Sequence, residues 1–331
     1  MKIILNKIYQ GDTLNISETY TLFKSIMLKK INNIELSAIL IALKIRGESQ
    51  NEILGAVKAC LEHMITFPKP TYMFSDIVGT GGDNSNSINI STTSALVGSA
   101  CGFKIAKHCN GNISSKTGSA DILKKFGINI QISPEKSKKM LDELNICFLF
   151  APQYHINFKV VTQVRKILRI KTIFNIIAPL LNPAMPKLTV MGVCNFKLML
   201  PIAQVLKTLN YHHAIIVCSD NIDEVTLHSF TKIIELKNNN ITSYILHPDD
   251  FGVKYCHKND ILGGNTEENY NIIKKILQGK GPSAVTETIA VNVAILFKIF
   301  GYSNLKKNTE YALKVIRSGK VYEKIIQLSK F

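Results

Sequence analysis

The first 68 residues alternate apolar and polar positions with a helical period. Leu36, Ile39, Leu40 and Leu43 fall at i, i+3, i+4 and i+7. Ile53, Val57, Cys60, Leu61 and Met64 resume that stripe after a Gly-Glu-Ser break at 47–49. Phe67-Pro68-Lys69-Pro70 then interrupts the pattern and marks a boundary. Beyond it come short, β-branched apolar runs at 72–78, 103–106, 146–150, 188–193, 213–218 and 241–246. Helical patterns at 92–101, 119–126, 134–144, 160–170 and 201–209 separate them. Strand alternating with helix predicts an α/β fold, a mainly parallel sheet flanked by helices, with a small all-α N-terminal domain over 1–68. The α/β domain takes 69–331. Ligands of such sheets sit at the carboxyl ends of the strands, so the loops that follow strands carry the candidate chemistry.

Composition narrows the class. The chain has 331 residues, 46% hydrophobic and 19% charged, a globular profile. No run approaches the roughly 18 apolar residues of a membrane span. The opening Met1-Lys2-Ile3-Ile4-Leu5-Asn6-Lys7 turns polar too early for a secretory leader. Seven scattered cysteines without a CxxC pair argue against a disulfide framework or zinc knuckle and predict a reducing, cytoplasmic setting. The net charge of +16 raises nucleic acid as a partner. Yet the only arginines are Arg46, Arg165, Arg169 and Arg317, and the lysines are dispersed among Ile and Asn. Without a dense basic block, the charge reads as a Lys-rich composition and argues against nucleic acid.

Four stretches stand out. Gly79-Thr80-Gly81-Gly82-Asp83 closes a strand with glycines that permit positive φ and close anion approach, and Asn89-Ile90-Ser91-Thr92 opens the next helix. The Ser91 and Thr92 hydroxyls suit a helix cap or a hard cation. No Walker lysine follows, and GxGxxG spacing is absent. Lys107 to Asp121 forms a donor-rich loop after the strand at 103–106, with Ser119 placed to cap the next helix. Asp223-Glu224 follows the strand at 213–218. It suits Mg²⁺ with substrate phosphates, and equally the acidic start of a helix over 225–236. Arg165 suits a carboxylate, or a plain surface position. Together the stretches describe an enzyme that holds a phosphorylated substrate through Mg²⁺.

In this order, over nearly the whole chain, these residues resemble the anthranilate phosphoribosyltransferase family of tryptophan biosynthesis. Thr172-Ile173-Phe174-Asn175 through Pro179-Leu180-Leu181-Asn182-Pro183 is similar to a further family signature, and 279–300 to its last helix. The resemblance implies transfer of the phosphoribosyl group of 5-phosphoribosyl 1-pyrophosphate to the amine of anthranilate, with pyrophosphate released. It implies that Gly79, Gly82, Asp83, Ser87, Asn89, Ile90, Ser91 and Thr92 bind the phosphoribosyl donor. Lys107, His108, Cys109, Asn110, Gly111, Asn112, Ile113, Ser114, Ser115 and Ser119 would complete that cradle. Gly79, Asn110 and Arg165 would hold anthranilate, Arg165 by its carboxylate, with His108 and His155 lining its path. Two Mg²⁺ ions per site would bind, one on Ser91 and Glu224 and one on Asp223 and Glu224. No residue is assigned as acid or base, because the aryl amine is already neutral at neutral pH. The family also implies a segment near 165–185 returning to the helical domain, substrate binding at the hinge between the two domains, and a homodimer through the helical domains.

The chain departs from the family at a few points. Lys107-His108-Cys109-Asn110-Gly111 stands where Lys-His-Gly-Asn-Arg is usual, and Asn84, Arg169 and Ala178 replace glycines. Cys218-Ser219 replaces His-Gly ahead of the acidic pair. None of these removes a proposed metal ligand. Two other readings stay open: a pyrimidine nucleoside phosphorylase using inorganic phosphate, and a non-enzymatic nucleic-acid-binding relative. The short chain and the Asp223-Glu224 pair weigh against the first, and the dispersed lysines against the second.

Overall fold

The computed structural model describes residues 1–83, 85–111 and 117–331. The expectations for Asn84, Asn112, Ile113, Ser114 and Ser115 therefore lie outside the described residues. The chain divides into two compact units, 1–66 with 151–185, and 67–150 with 186–331. The returning segment begins at Ala151, earlier than the resemblance implied.

The first unit is helical. Its N-terminal part forms Lys2–Tyr9, Ile16–Met27, Asn33–Arg46 and Gln50–Glu62. Asn15, Asn32 and Ser49 open the last three helices with capping boxes completed by Glu18, Glu35 and Glu52. Gly47, at φ 89°, makes the turn at the 47–49 break. Leu36, Ile39, Leu40 and Leu43 are all buried, as their spacing requires. Phe158–Leu168 and Ile173–Ile177 complete the unit. Glu52 is buried but satisfied: Arg46 Nη2 donates to it at 2.5 Å and Leu14 N at 3.0 Å.

The second unit is built on a seven-stranded sheet. Its strands are β1 (Ser75–Gly79), β2 (Ile105–Cys109), β3 (Ile146–Phe150), β4 (Leu188–Gly192), β5 (His213–Cys218), β6 (Thr231–Lys237) and β7 (Asn240–Leu246). The order is β3-β2-β1-β4-β5-β6-β7, with β1 to β5 parallel and β6 and β7 antiparallel. The apolar helix Ser283–Ile299 is buried along nearly its whole length and packs on Ile90–Ala100.

Three local expectations are corrected. The stretch 225–236 is not a helix: Ile233 and Ile234 are β-branched and pair with β5, and Thr231 pairs with Leu246 of β7. Asn238 and Asn239, at φ 48° and 68°, form the tight turn into β7. Lys107, His108 and Cys109 belong to β2 rather than to the loop, because all three pair with β3. Ser119 does not cap its helix. Gly118 holds the cap position and donates its N–H to Asp121 Oδ2 at 2.9 Å.

Candidate active site

The carboxyl ends of β1 and β4 create one feature together. Gly79 and Gly192 are register partners there, and the Asp223 segment lies against both. A Cβ on Gly192 would stand 1.6 Å from the Asp223 carbonyl oxygen, and one on Gly79 2.2 Å from Asp223 Oδ2. Only glycine admits the acidic segment this close. Gly81 and Gly82 then turn with φ 67° and 70°, and Gly81 N donates to Asp223 Oδ2 at 2.6 Å. Gly192 went unnoticed in the sequence, because its role depends on a segment thirty-odd positions away.

The helix after the glycine turn begins at Ile90, with Asn89 at its cap position. Neither the Ser91 nor the Thr92 hydroxyl caps it. Instead Ser91 N donates to Glu224 Oε1 at 3.1 Å, so a carboxylate meets the helix N-terminus. Asn89 Nδ2 donates to the Thr117 carbonyl at 3.2 Å. Asn89 Oδ1 accepts from Asn269 Nδ2 at 3.4 Å, and Thr117 Oγ1 lies 3.3 Å from Thr266 Oγ1. The helix Thr266–Leu277 thus braces Asn89 and Thr117 through Asn269 and Thr266, residues that sequence reasoning missed. Ser87 is held near them: it bridges Leu262, and its N–H donates to Ser85 Oγ at 3.2 Å. Asp83 Oδ1 accepts from Ser85 N at 3.0 Å.

In β2, Lys107 is 1% exposed and its Nζ donates to the Ile77 carbonyl at 2.6 Å. Its ammonium therefore lies beneath β1 rather than in an open loop. His108 is buried, and its N–H donates to Asp76 Oδ2 at 3.4 Å. Burial pushes the Cys109 thiol up to about 12, so it acts as packing. Cys109 costs nothing in backbone strain, because this position is extended strand. Asn110 is exposed, its carbonyl accepts from Ala120 N at 3.1 Å, and its Oδ1 accepts from Gly111 N at 2.8 Å. Ser119 is half-buried in the first turn of its helix.

The electrostatics favour a bound cation. Burial and the charge of Asp83 raise the Asp223 carboxyl to about 7. Burial and the charge of Asp223 push Glu224 well up, against the opposing pull of Lys107. Three carboxylates thus gather with one ammonium among them. Among the described residues no group of three or more His, Cys, Asp or Glu side chains is placed to hold a metal ion by itself. An open donor set of carboxylates and a Ser hydroxyl, completed by phosphate oxygens, fits a hard divalent cation.

Arg165 and His155 belong to the helical unit. Arg165 Nη2 donates to Asn175 Oδ1 at 2.9 Å, and the same oxygen accepts from Thr172 N at 3.0 Å. Among the described residues the buried Arg165 Nε has no hydrogen-bond partner. Its guanidinium is oriented but not satisfied, a disposition that suits a carboxylate ligand. His155 is a core residue: it is 3% exposed, stacks on Phe158, and pairs through Nε2 with the Leu181 carbonyl at 2.9 Å. Burial lowers it to about 4, which keeps it neutral. Arg169 takes φ 52° at the end of helix Phe158–Leu168, the left-handed position where the family's glycine is at ease.

Fold and site together define a glycosyltransferase built from a helical bundle and an α/β domain. Residues 2–64 match the helical bundle domain of the glycosyl transferase family, and residues 71–322 match its a/b domain. An anthranilate phosphoribosyltransferase of Buchnera aphidicola subsp. Schlechtendalia chinensis is 65% identical over 331 residues, all of both chains. The enzyme of that name from Erwinia tasmaniensis is 49% identical, covering 100% of this chain and 99% of the relative. The crystal structure of anthranilate phosphoribosyltransferase from Thermus thermophilus superposes with a TM-score of 0.92 at 30% identity, covering 99% and 98% of the two chains. That of the Saccharomyces cerevisiae enzyme in complex with PRPP and Mg gives 0.89 at 26% identity, covering 98% and 96%. This chain belongs to the anthranilate phosphoribosyltransferase family.

Proposed function

We infer that this chain transfers the phosphoribosyl group of 5-phosphoribosyl 1-pyrophosphate to the amine of anthranilate, giving N-(5-phosphoribosyl)anthranilate and pyrophosphate in tryptophan biosynthesis. The observation that carries this reading is the full-length 65% identity in a chain whose Asp223 is seated on Gly79 and Gly192, with Glu224 on Ser91 N. The ribose C1–oxygen bond to pyrophosphate breaks and a C1–nitrogen bond forms, and the nitrogen then sheds a proton to solvent or product.

We assign the donor's phosphates and ribose to Gly79, Gly82, Asp83, Ser87, Asn89, Ile90, Ser91 and Thr92. Lys107, His108 and Cys109 at the end of β2, with Asn110, Gly111, Asn112, Ile113, Ser114, Ser115 and Ser119, complete that cradle. The N-terminal amides of helix Ile90–Ala100 and its dipole favour the charge that grows on the leaving group. Arg165 takes the anthranilate carboxylate, oriented by Asn175, and Asn110 with Gly79 takes the rest of the acceptor. Two Mg²⁺ ions are proposed, one on Ser91 and Glu224 and one on Asp223 and Glu224. When bound, they neutralise the departing pyrophosphate. Positioning and charge neutralisation suffice without a side-chain base.

Two further readings accompany this one. Ile34, Ile41 and Ile45 lie along one face of helix Asn33–Arg46 and are exposed, at 84%, 38% and 82%, which supports a homodimer through the helical unit. All seven cysteines are free, and among the described residues no helix is long and apolar enough to cross a membrane, which supports a cytoplasmic setting.

The test is loss of anthranilate fluorescence with 5-phosphoribosyl 1-pyrophosphate and Mg²⁺. EDTA is expected to abolish that loss. A folded protein that binds the donor but leaves anthranilate unchanged would require another acceptor.

A further inference from the structure

The acidic pair lies where the chain has left the sheet. β5 ends at Cys218, and Asp220 and Asn221 follow at φ 47° and 61°. Ser219 closes that turn with hydrogen bonds in both directions to Ile222. Val225, next after the pair, is buried, so its peptide groups need partners that no strand provides. Asn292, of helix Ser283–Ile299, provides both. Its Oδ1 accepts from Val225 N at 3.1 Å, and its Nδ2 donates to the Val225 carbonyl at 2.8 Å. The second Nδ2 hydrogen goes to the Thr288 carbonyl at 2.8 Å, one turn back on its own helix. Asn292 is fully buried, and these three bonds fix which way its amide faces.

We propose that Asn292 is a positioning residue for the metal-binding pair. It clamps the peptide after Glu224 so that Asp223 and Glu224 present their carboxylates in one fixed arrangement. This rests on the reading of Asp223 and Glu224 as Mg²⁺ ligands. The segment has three anchors: Gly192 under the Asp223 carbonyl, Gly81 N on the Asp223 carboxylate, and Asn292 on Val225. Glu224 lies between them and reaches Ser91 N. Loss of the Asn292 anchor frees the C-terminal side of the pair while every carboxylate stays in place.

The experiment titrates Mn²⁺ into the full chain with 5-phosphoribosyl 1-pyrophosphate present, read by electron paramagnetic resonance. Asn292→Ala is expected to weaken Mn²⁺ binding about tenfold, the usual cost of losing a group that orients metal ligands. The Mg²⁺ concentration for half-maximal rate should rise in parallel, while the anthranilate KM holds. Asn292→Ser, smaller but still able to hydrogen-bond, should fall between, and it keeps the test alive if the alanine variant does not fold. Lys298→Met, in the same helix, removes a buried ion pair and should lower Tm without changing Mn²⁺ affinity. Wild-type affinity in a cooperatively melting Asn292 variant overturns the proposal. An equal loss in Lys298→Met also overturns it, because the effect would then be general loosening. If the wild-type chain binds no Mn²⁺, the reading of the acidic pair fails first and takes the proposal with it.

Discussion

Two carboxylate clusters lie at opposite ends of β5, and they differ in what neutralises them. Toward its amino end, Glu235 accepts from His213 Nε2 at 2.7 Å, from Lys298 Nζ at 2.6 Å and from Tyr244 Oη at 2.6 Å. Burial alone would raise this carboxyl, but those three donors hold it down at about 2. Beyond the carboxyl end, Asp223 and Glu224 share their surroundings with Asp83 and Lys107, and both are raised. The first cluster is complete and adds to folding. The second gathers buried carboxyls without a matching set of donors, an arrangement that a bound cation would stabilise. Helix Ser283–Ile299 serves both clusters, with Asn292 behind one and Lys298 at the other.

The largest expected effect lies at the open cluster. Glu224→Gln should cut the rate by at least about a hundredfold at saturating substrates, because the carboxylate would be lost as a ligand. The same change should not lower the metal-free melting temperature, since it removes a charge that burial and Asp223 already penalise. Near-normal Mg²⁺ dependence in this variant would break the contrast by showing that the open cluster needs no cation.

The closed cluster should respond in the opposite way. Lys298→Met leaves Glu235 without its ammonium and should cost roughly 3 kcal/mol of stability, the scale for opening a buried pair, while kcat holds. The pH dependence carries a definite sign. An unfolded Glu titrates near 4.3, so Glu235 adds stability that is complete above about pH 5 and fades as pH falls toward 2. The gap in denaturation midpoint between wild type and Lys298→Met should shrink over that window. A gap that stays constant with pH would mean that Lys298 acts by packing alone.

Legibility in the sequence followed the range of the interaction. β3 and β5 show as local apolar runs, and the loops after β1 and β5 follow from where those runs stop. The donor-rich loop after β2 was visible too, although Lys107 to Cys109 at its start proved to be strand. β6 was missed because Asp223 and Glu224 resemble a helix start, and only pairing with β5 shows that Thr231 to Lys237 extends. Asn292, Asn269 and Gly192 were not legible as site residues. Each matters through a partner distant in sequence, Val225 for Asn292, Asn89 for Asn269 and Asp223 for Gly192. The paired carboxylates were visible as a motif; what holds them, and what leaves them uncompensated, belongs to the folded state.

The smallest effect sharpens the comparison from the side of the phosphates. If the open cluster awaits cations bound with phosphates, the chain after β2 should also tolerate added positive charge where the fold leaves room. Gly111 offers that room: it does not need a positive φ, and a Cβ built on it meets nothing within 4 Å among the described residues. Gly111→Arg should therefore leave the melting temperature unchanged. Its guanidinium should lower the KM for 5-phosphoribosyl 1-pyrophosphate by a factor of about two to five, the scale of one exposed charge contact, with the anthranilate KM unmoved. The gain should fade with added salt, because an exposed pair is screened. An unchanged KM would mean that other lysines already supply the charge, and a lower Tm would mean that the turn at Asn110 and Gly111 is tighter than its open surroundings suggest.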